Sequence, residues 1–418
     1  MIRLVEALRY RCLRDIRQEI GNFQVLVGPN ASGKSTFLDV IIFLEDLLKN
    51  GLTAAVRARS PNLLNLIWMV QGRRCDLAVE LEVPEERWRR LPQNGYERAR
   101  YEVAVGLDAK GELAILGENF WLKPADVKRP SLQRNLFPCP TQTRHSLVLS
   151  EGRHSPKGWK KVVTKKPEAG NDYFMSETTG WNNPFRLGPQ RMALANLPED
   201  EDRFPVATWV KRVLMEGIQH LVLNSEAMRR PSPPASPVEF QPDGSNLPWV
   251  VRELSKTSPE QFERWVAHIR TALPDVQTIE TVERPEDKHL YLQVVYRTTL
   301  KAPSWTVSDG TLRLLALTLL AYLDEPGRTY LIEEPENGIH PQAVETVFQS
   351  LSSAYGSQVL CASHSPVILS LAEPEQVLCF AQDAAGATDV IRGSEHPNLR
   401  DWRRGVDLGT LFATGMLG

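Results

Sequence analysis

Cysteine is scarce and unpaired in this chain. Cys12, Cys75, Cys139, Cys361 and Cys379 are odd in number and show no Cys-x-x-Cys spacing, which argues against a disulfide framework or a zinc site and leaves reduced, mostly buried thiols. No run of about 18 apolar residues occurs, so no transmembrane helix is expected. The first ten residues alternate apolar and polar like a strand and lack the apolar core of about 7–15 residues that a signal peptide needs. A cytoplasmic protein without membrane contact is the expectation. Long heptad stretches are missing too, which removes a coiled-coil arm. A net charge of −2, with 42% hydrophobic and 24% charged residues, leaves neither disorder nor a wholly basic nucleic-acid coat, although a local basic face remains open. At 418 residues the chain exceeds one ordinary core and suggests a large α/β domain with insertions, or two domains.

What the sequence does contain is concentrated first in residues 25–36. Val25 to Val27 read as a strand, Gly28 to Gly33 as a small-residue loop and Thr36 to Phe43 as a helix. Gly28, Gly33, Lys34 and Ser35 stand at the G-x-x-x-x-G-K-S spacing of a P-loop. A triphosphate must be met by many donors without bulk, so such a loop offers consecutive backbone N–H groups, and glycine allows close approach. The helix that follows adds the positive end of its dipole. Asn30 and Ser32 join the candidate phosphate cradle. Lys34 is placed to reach the β- and γ-phosphates, Ser35 to ligate Mg²⁺ and Thr36 to support the phosphates.

Gln71, after the apolar patch Leu63 to Val70, is either a residue that orients attacking water and senses Mg²⁺ or an ordinary loop glutamine. Arg11 and Arg14 are surface arginines or neighbours of the nucleotide. Between 123 and 166 there are 11 Lys and Arg against Asp126 and Glu151, with five prolines that forbid a long helix. Lys157, Lys160, Lys161, Lys165 and Lys166 surround Trp159, which suits phosphate contact with base stacking, or else a solvated insertion. Trp209, Val210, Val213 and Leu214 form one helical face, and Phe262, Trp265, Val266, Ile269 and Leu273 another. Val276 to Val282 and Leu290 to Arg297 read as a hairpin.

A second cluster follows. Thr329 to Ile332 leads into Glu333-Glu334-Pro335-Glu336, as a buried parallel strand does where it opens at its C-terminal edge. Glu333 is placed to hold Mg²⁺ through its water shell and Glu334 to polarise the attacking water. Ser308-Asp309-Gly310 precedes an apolar helix, Leu312 to Leu323, with Ser308 as N-cap and with N–H groups that make an anion site. The strand Gln358 to Ala362 ends in Ser363-His364-Ser365-Pro366, where His364 is placed to donate to the γ-phosphate.

This ordered set resembles the nucleotide-binding domains of ABC-class ATPases, in the soluble SMC, RecF and OLD-like branch often described as AAA family. The resemblance is strong over 1–50 and about 300–380. It implies an α/β P-loop NTPase head with a mixed sheet, an antiparallel part and a helical lobe. The blocks expected are 1–120 for the N-terminal part, 121–196 for a basic insertion, 197–275 for the helical lobe and 276–418 for the C-terminal part. It further implies that Ser308 and Gly310 contact the γ-phosphate on a second subunit, and that Glu336 to His340 cross the dimer interface. The signature reads Ser-Asp-Gly-Thr and Glu333 stands where aspartate is more usual; both weaken a transporter reading. The stretch after His364 is too short for the TOPRIM nuclease domain of OLD-like proteins, so a nuclease is expected on another chain.

The expected function is an ATP-hydrolysing homodimeric switch with Lys34, Glu334 and His364 as catalytic residues. Ser35, Glu333 and Gln71 form the metal set, and ATP and Mg²⁺ are the cofactors. By resemblance it belongs to a prokaryotic antiphage or DNA-maintenance system, with nucleic acid as ligand and a separate nuclease-like effector as partner. The alternative is a scaffold that holds ATP with little turnover and sequesters a toxic or nuclease partner.

Overall fold

The computed structural model describes residues 1–92, 95–125, 134–139, 143–149, 155–166, 172–399 and 408–413. The rest of the basic segment between 123 and 166 lies outside them. In chain order the strands are β1 (Ile2–Tyr10), β2 (Leu13–Glu19), β3 (Phe23–Val27), β4 (Arg74–Glu82), β5 (Arg98–Leu107), β6 (Leu113–Lys123), β7 (Lys160–Lys165), β8 (Asp172–Met175) and β9 (Asn182–Phe185). They continue with β10 (Ile218–Leu221), β11 (Val276–Glu283), β12 (Leu290–Tyr296), β13 (Lys301–Pro303), β14 (Thr329–Glu333), β15 (Gln358–Ala362), β16 (Val377–Gln382) and β17 (Thr388–Arg392).

Three sheets result. An eight-stranded antiparallel sheet runs β2-β1-β4-β5-β6-β7-β8-β9, a six-stranded sheet β10-β14-β15-β3-β16-β17 and a three-stranded sheet β11-β12-β13. The six-stranded sheet is parallel except for β17, which turns back on β16. Its strands β3, β15 and β16 are apolar at all but one position each because both faces are covered. Successive side chains point to opposite faces. On β3, Leu26 enters one core while Phe23, Val25 and Val27 enter the other, and on β15 Leu360 and Ala362 part from Val359 and Cys361 in the same way. The first core lies between the two large sheets around the helix Lys34–Asn50, and the second holds the helices Leu247–Thr257, Pro259–Ala272, Asp309–Leu319 and Pro341–Ser352. A fully buried Val, Leu, Ile or Phe contributes roughly 1.5–3 kcal/mol, so this double-sided burial is what holds the central strands level.

Two expectations about organisation change. The boundary drawn at 120/121 falls inside β6, and β7, β8 and β9 extend the same sheet, so 121–196 grows out of the antiparallel part. The stretch 197–275 does not pack as one lobe: the helix Pro205–Glu216 joins the first core, while the helices from Leu247 to Ala272 join the second. β2 is an element that the sequence reading passed over.

The antiparallel sheet also carries a buried charge network. Arg100 is 5% exposed and pairs with Glu6, Glu80 and Glu102, and Lys123 donates to Glu80 at 2.9 Å. Removing one partner of such a set leaves a buried charge unmet, at a cost of about 3–5 kcal/mol. Segment 143–149 crosses this face. Arg144 pairs with Asp15 and Glu6, and the Leu147 and Leu149 N–H groups donate to Asp76 and Glu102.

Candidate nucleotide site

β3 ends at the C-terminal edge of the parallel sheet, and the loop behind it must turn sharply into the helix Lys34–Asn50. Gly28 has φ +148° and Gly33 φ +105°. A Cβ on Gly28 would collide with the Phe380 carbonyl, and one on Gly33 would lie 2.5 Å from Thr388 Oγ1. The loop therefore needs glycine at both positions for want of space as well as for its backbone. Lys34 Nζ curls over the loop and donates to the carbonyls of Gly28 at 2.8 Å and Pro29 at 2.9 Å. Burial lowers its ammonium to about 8, against the opposing pull of Glu333 and Glu334.

A cavity of about 230 Å³ brings Asn30, Ser32, Gly33, Lys34, Ser35 and Thr36 together with Glu333, Glu334 and His364. Three loops, those after β3, β14 and β15, meet there because their strands are neighbours in the sheet. Ser35 Oγ donates to Glu333 Oε2. His220 on β10 places Nε2 3.7 Å from Glu333 Oε1. These two, His220 foremost, hold the Glu333 carboxyl below the usual carboxylate range despite its partial burial. Glu334 stands at φ +49°, an unfavourable conformation for a glutamate, and its N–H donates to the Ala362 carbonyl at 2.8 Å. Glu336 Oε1 accepts from Ser363 Oγ at 2.7 Å and from the His364 N–H at 3.1 Å, tying the loop after β14 to the loop that carries the histidine.

The cavity fits a magnesium nucleotide on its own features. Ser32 Oγ is buried and has no hydrogen-bond partner among the described residues. The described residues hold no group of three His, Cys, Asp or Glu that could enclose a metal. What the site offers is the Ser35 hydroxyl and the Glu333 carboxylate, hard oxygens of the kind Mg²⁺ takes when water and phosphate complete its shell.

Ser308 and Gly310 do not line this cavity. Ser308 is exposed and caps the helix Asp309–Leu319, its Oγ accepting from the Thr311 N–H at 3.2 Å. Arg229 Nη2 lies 2.6 Å from Asp309 Oδ1. A Cβ on Gly310 would run into the Gly338 carbonyl, so the helix start rests directly on the Glu336–His340 loop.

Gln71 is exposed and is not among the residues lining the cavity. Arg11 pairs with Asp39 and Arg14 with Asp383, so both are engaged away from the cavity. The expected basic cluster is reduced as well. Lys165 is 2% exposed beside Asp172, Lys160 donates to the Glu177 carbonyl at 2.6 Å, and Lys161 lies over the Trp121 ring. Trp159 packs edge-on against Trp121 with Lys123 over its face. Lys157 and Lys166 remain exposed. The cause is the strand itself: β7 pairs with β6 and draws its lysines into the sheet. His220 was missed in the sequence because its place beside Glu333 comes from the parallel register of β10 on β14.

A family model described as "AAA domain, putative AbiEii toxin, Type IV TA system" matches residues 99–370, more than half of the chain. The match begins after the P-loop and includes Ser308, Glu333, Glu334 and His364. No curated protein matches. Among solved structures, an SMC head bound to the C-winged helix domain of ScpA is 13% identical, with 93% of this chain and 96% of that one covered and a TM-score of 0.50. An Smc head from Pyrococcus furiosus, with an extended coiled coil and bound to the C-terminal domain of ScpA, is 12% identical, with 93% and 95% covered and a TM-score of 0.51. At these identities the likeness concerns the fold. Among the described residues no helix is long and apolar enough to cross a membrane.

Proposed function

Since the chain belongs to the AAA-domain family matched over residues 99–370, we propose that it is a magnesium-dependent ATPase in which nucleotide joins two copies and hydrolysis parts them. The observation that carries this reading is the convergence of Lys34, Ser35, Glu333, Glu334 and His364 from three separate loops on one cavity. Lys34 leaves the Gly28 and Pro29 carbonyls to meet the β- and γ-phosphates. Ser35 and Glu333 hold Mg²⁺, which supplies charge neutralisation of the phosphates when bound. Glu334, already turned into the cavity by its backbone, takes the proton of the attacking water, and His364, steadied through Glu336, donates to the γ-phosphate. Ser308, exposed, and Gly310, half-buried, both away from their own chain's cavity, complete the site of a second copy. Gln71 enters the site only if its loop moves.

The family's description favours a place in a toxin–antitoxin or defence system, and ScpA bound to the two SMC heads supports a protein partner for this fold. A separate effector and nucleic acid as ligand complete the reading. The test is phosphate release by the purified protein, with Lys34→Ala as control, beside its mass with and without ATP. Turnover that Lys34→Ala abolishes, together with an ATP-dependent dimer, supports the reading. ATP held without turnover, with or without DNA, supports the scaffold instead.

A further inference from the structure

We propose that Thr388 and Gln382 are positioning residues that hold the back of the P-loop and aim its amides at the nucleotide; the inference rests on the reading of the cavity as an ATP site. The two residues are direct cross-strand partners at the turn end of the β16–β17 hairpin. They donate to successive carbonyls of the loop, Gln382 Nε2 to Ala31 at 2.8 Å and Thr388 Oγ1 to Ser32 at 2.9 Å. Thr388 is 4% exposed, and its own N–H donates to the Cys12 carbonyl at 3.1 Å, which fixes the strand that carries it.

The chemistry follows from the planar trans peptide, whose C=O and N–H point in opposite directions. Drawing the Ser32 carbonyl toward β17 turns the Gly33 N–H the other way, and Gly33 lines the cavity. The Ala31 carbonyl, held by Gln382, belongs to the peptide whose Ser32 N–H closes a turn on the Pro29 carbonyl at 3.2 Å, so Gln382 steadies the turn and Thr388 sets the amide after it. A clamp is needed here because Ala31 at φ +63° and Gly33 at φ +105° flank Ser32, and glycine leaves the Ser32–Gly33 peptide free to rotate. Rotated, it would present a carbonyl to the phosphates where an N–H belongs. Glycine at 33 and threonine at 388 also fit each other, since a Cβ on Gly33 would lie 2.5 Å from Thr388 Oγ1 and 3.0 Å from its methyl.

The experiment is calorimetric titration of the full chain with Mg-ATP, beside steady-state hydrolysis. Thr388→Val keeps the shape and removes the donor, which leaves a buried carbonyl unmet; affinity should fall roughly tenfold. KM should rise by a similar factor with kcat within about twofold, because the loop binds ground and transition state alike. Thr388→Ser should recover most of the affinity. If Thr388→Val does not fold, Gln382→Met on the exposed partner carries the same test, with a loss of about threefold. Wild-type affinity in the folded donor-deleted variant, or failure of Thr388→Ser to restore binding lost in Thr388→Val, overturns the proposal. A wild-type protein that does not bind Mg-ATP overturns the ATP-site reading instead.

Discussion

Gly310 and Gly338 meet backbone to backbone: a Cβ on the first would strike the carbonyl of the second, and Gly338 itself stands at φ +74°. The start of the helix Asp309–Leu319 and the loop that follows Glu334 are therefore packed directly on each other. The residues proposed to face a second copy are seated on the loop that leads away from the proposed water-polarising glutamate. In the proposed dimer, this contact would connect closure between copies to the setting of Glu334.

Gly310→Ala should break that connection. The added methyl must push the helix start or the loop aside, at a cost of about 1–3 kcal/mol in urea unfolding. Binding of Mg-ATP to the isolated chain should be unchanged, because the cavity does not include Gly310. Phosphate release should fall severalfold. Release at the wild-type rate would separate the helix start from catalysis.

Glu334 carries strain that function explains better than stability does. Its left-handed backbone should cost about 1 kcal/mol, so Glu334→Gly should raise the unfolding midpoint while abolishing turnover. Glu334→Gln keeps the strain, retains ATP and should slow phosphate release by about a hundredfold or more, with closed dimer accumulating on a sizing column. An unchanged hydrolysis rate would remove this glutamate from the mechanism.

Much of the site was legible because its signals are local. The helix Lys34–Asn50 starts at the lysine of the motif, β14 and β15 end at Glu333 and Ala362 as their apolar runs suggest, and Ser308 caps the helix that its position announced. The missing parts depend on register or on burial of charge. His220 reaches Glu333 only through strand pairing, and Thr388 and Gln382 reach the P-loop from a hairpin more than 340 residues away in the chain. β2, with the pattern Leu-Arg-Asp-Ile-Arg-Gln-Glu, has too few apolar positions to stand out and forms because it edges a larger sheet. Glu102 is wholly buried, whereas charged residues are ordinarily solvated, so counting charges could not reveal the network it joins with Arg100.

The basic segment divides into two kinds of lysine, and the division can be tested. Lys165→Glu would set a second carboxylate beside Asp172 in a dry place and should cost about 3–5 kcal/mol, giving little folded protein. Reversal at exposed Lys157 and Lys166 should leave the melting temperature within a degree or two. If the segment contacts nucleic acid, the same double variant should bind DNA more weakly, with a salt slope reduced by about 1 per lost phosphate contact. Identical slopes would return the segment to solvent.

Glu177 gives the fold a pH dependence whose sign can be worked out. Its carboxyl is wholly buried at the start of the helix Pro205–Glu216, and burial raises it from 4.5 to about 7, although the Val206 and Ala207 N–H groups favour the charged form. Between these values the folded chain keeps a proton that the unfolded chain has released, so stability falls as pH rises through the window and the loss is complete above about 7. A shift of this size corresponds to roughly 3 kcal/mol. Glu177→Gln stays neutral, so its melting temperature relative to wild type should climb from pH 5 to pH 7 and level off by pH 8. A gap that stays constant across that range would mean that the two helix N–H groups compensate the buried carboxylate in full.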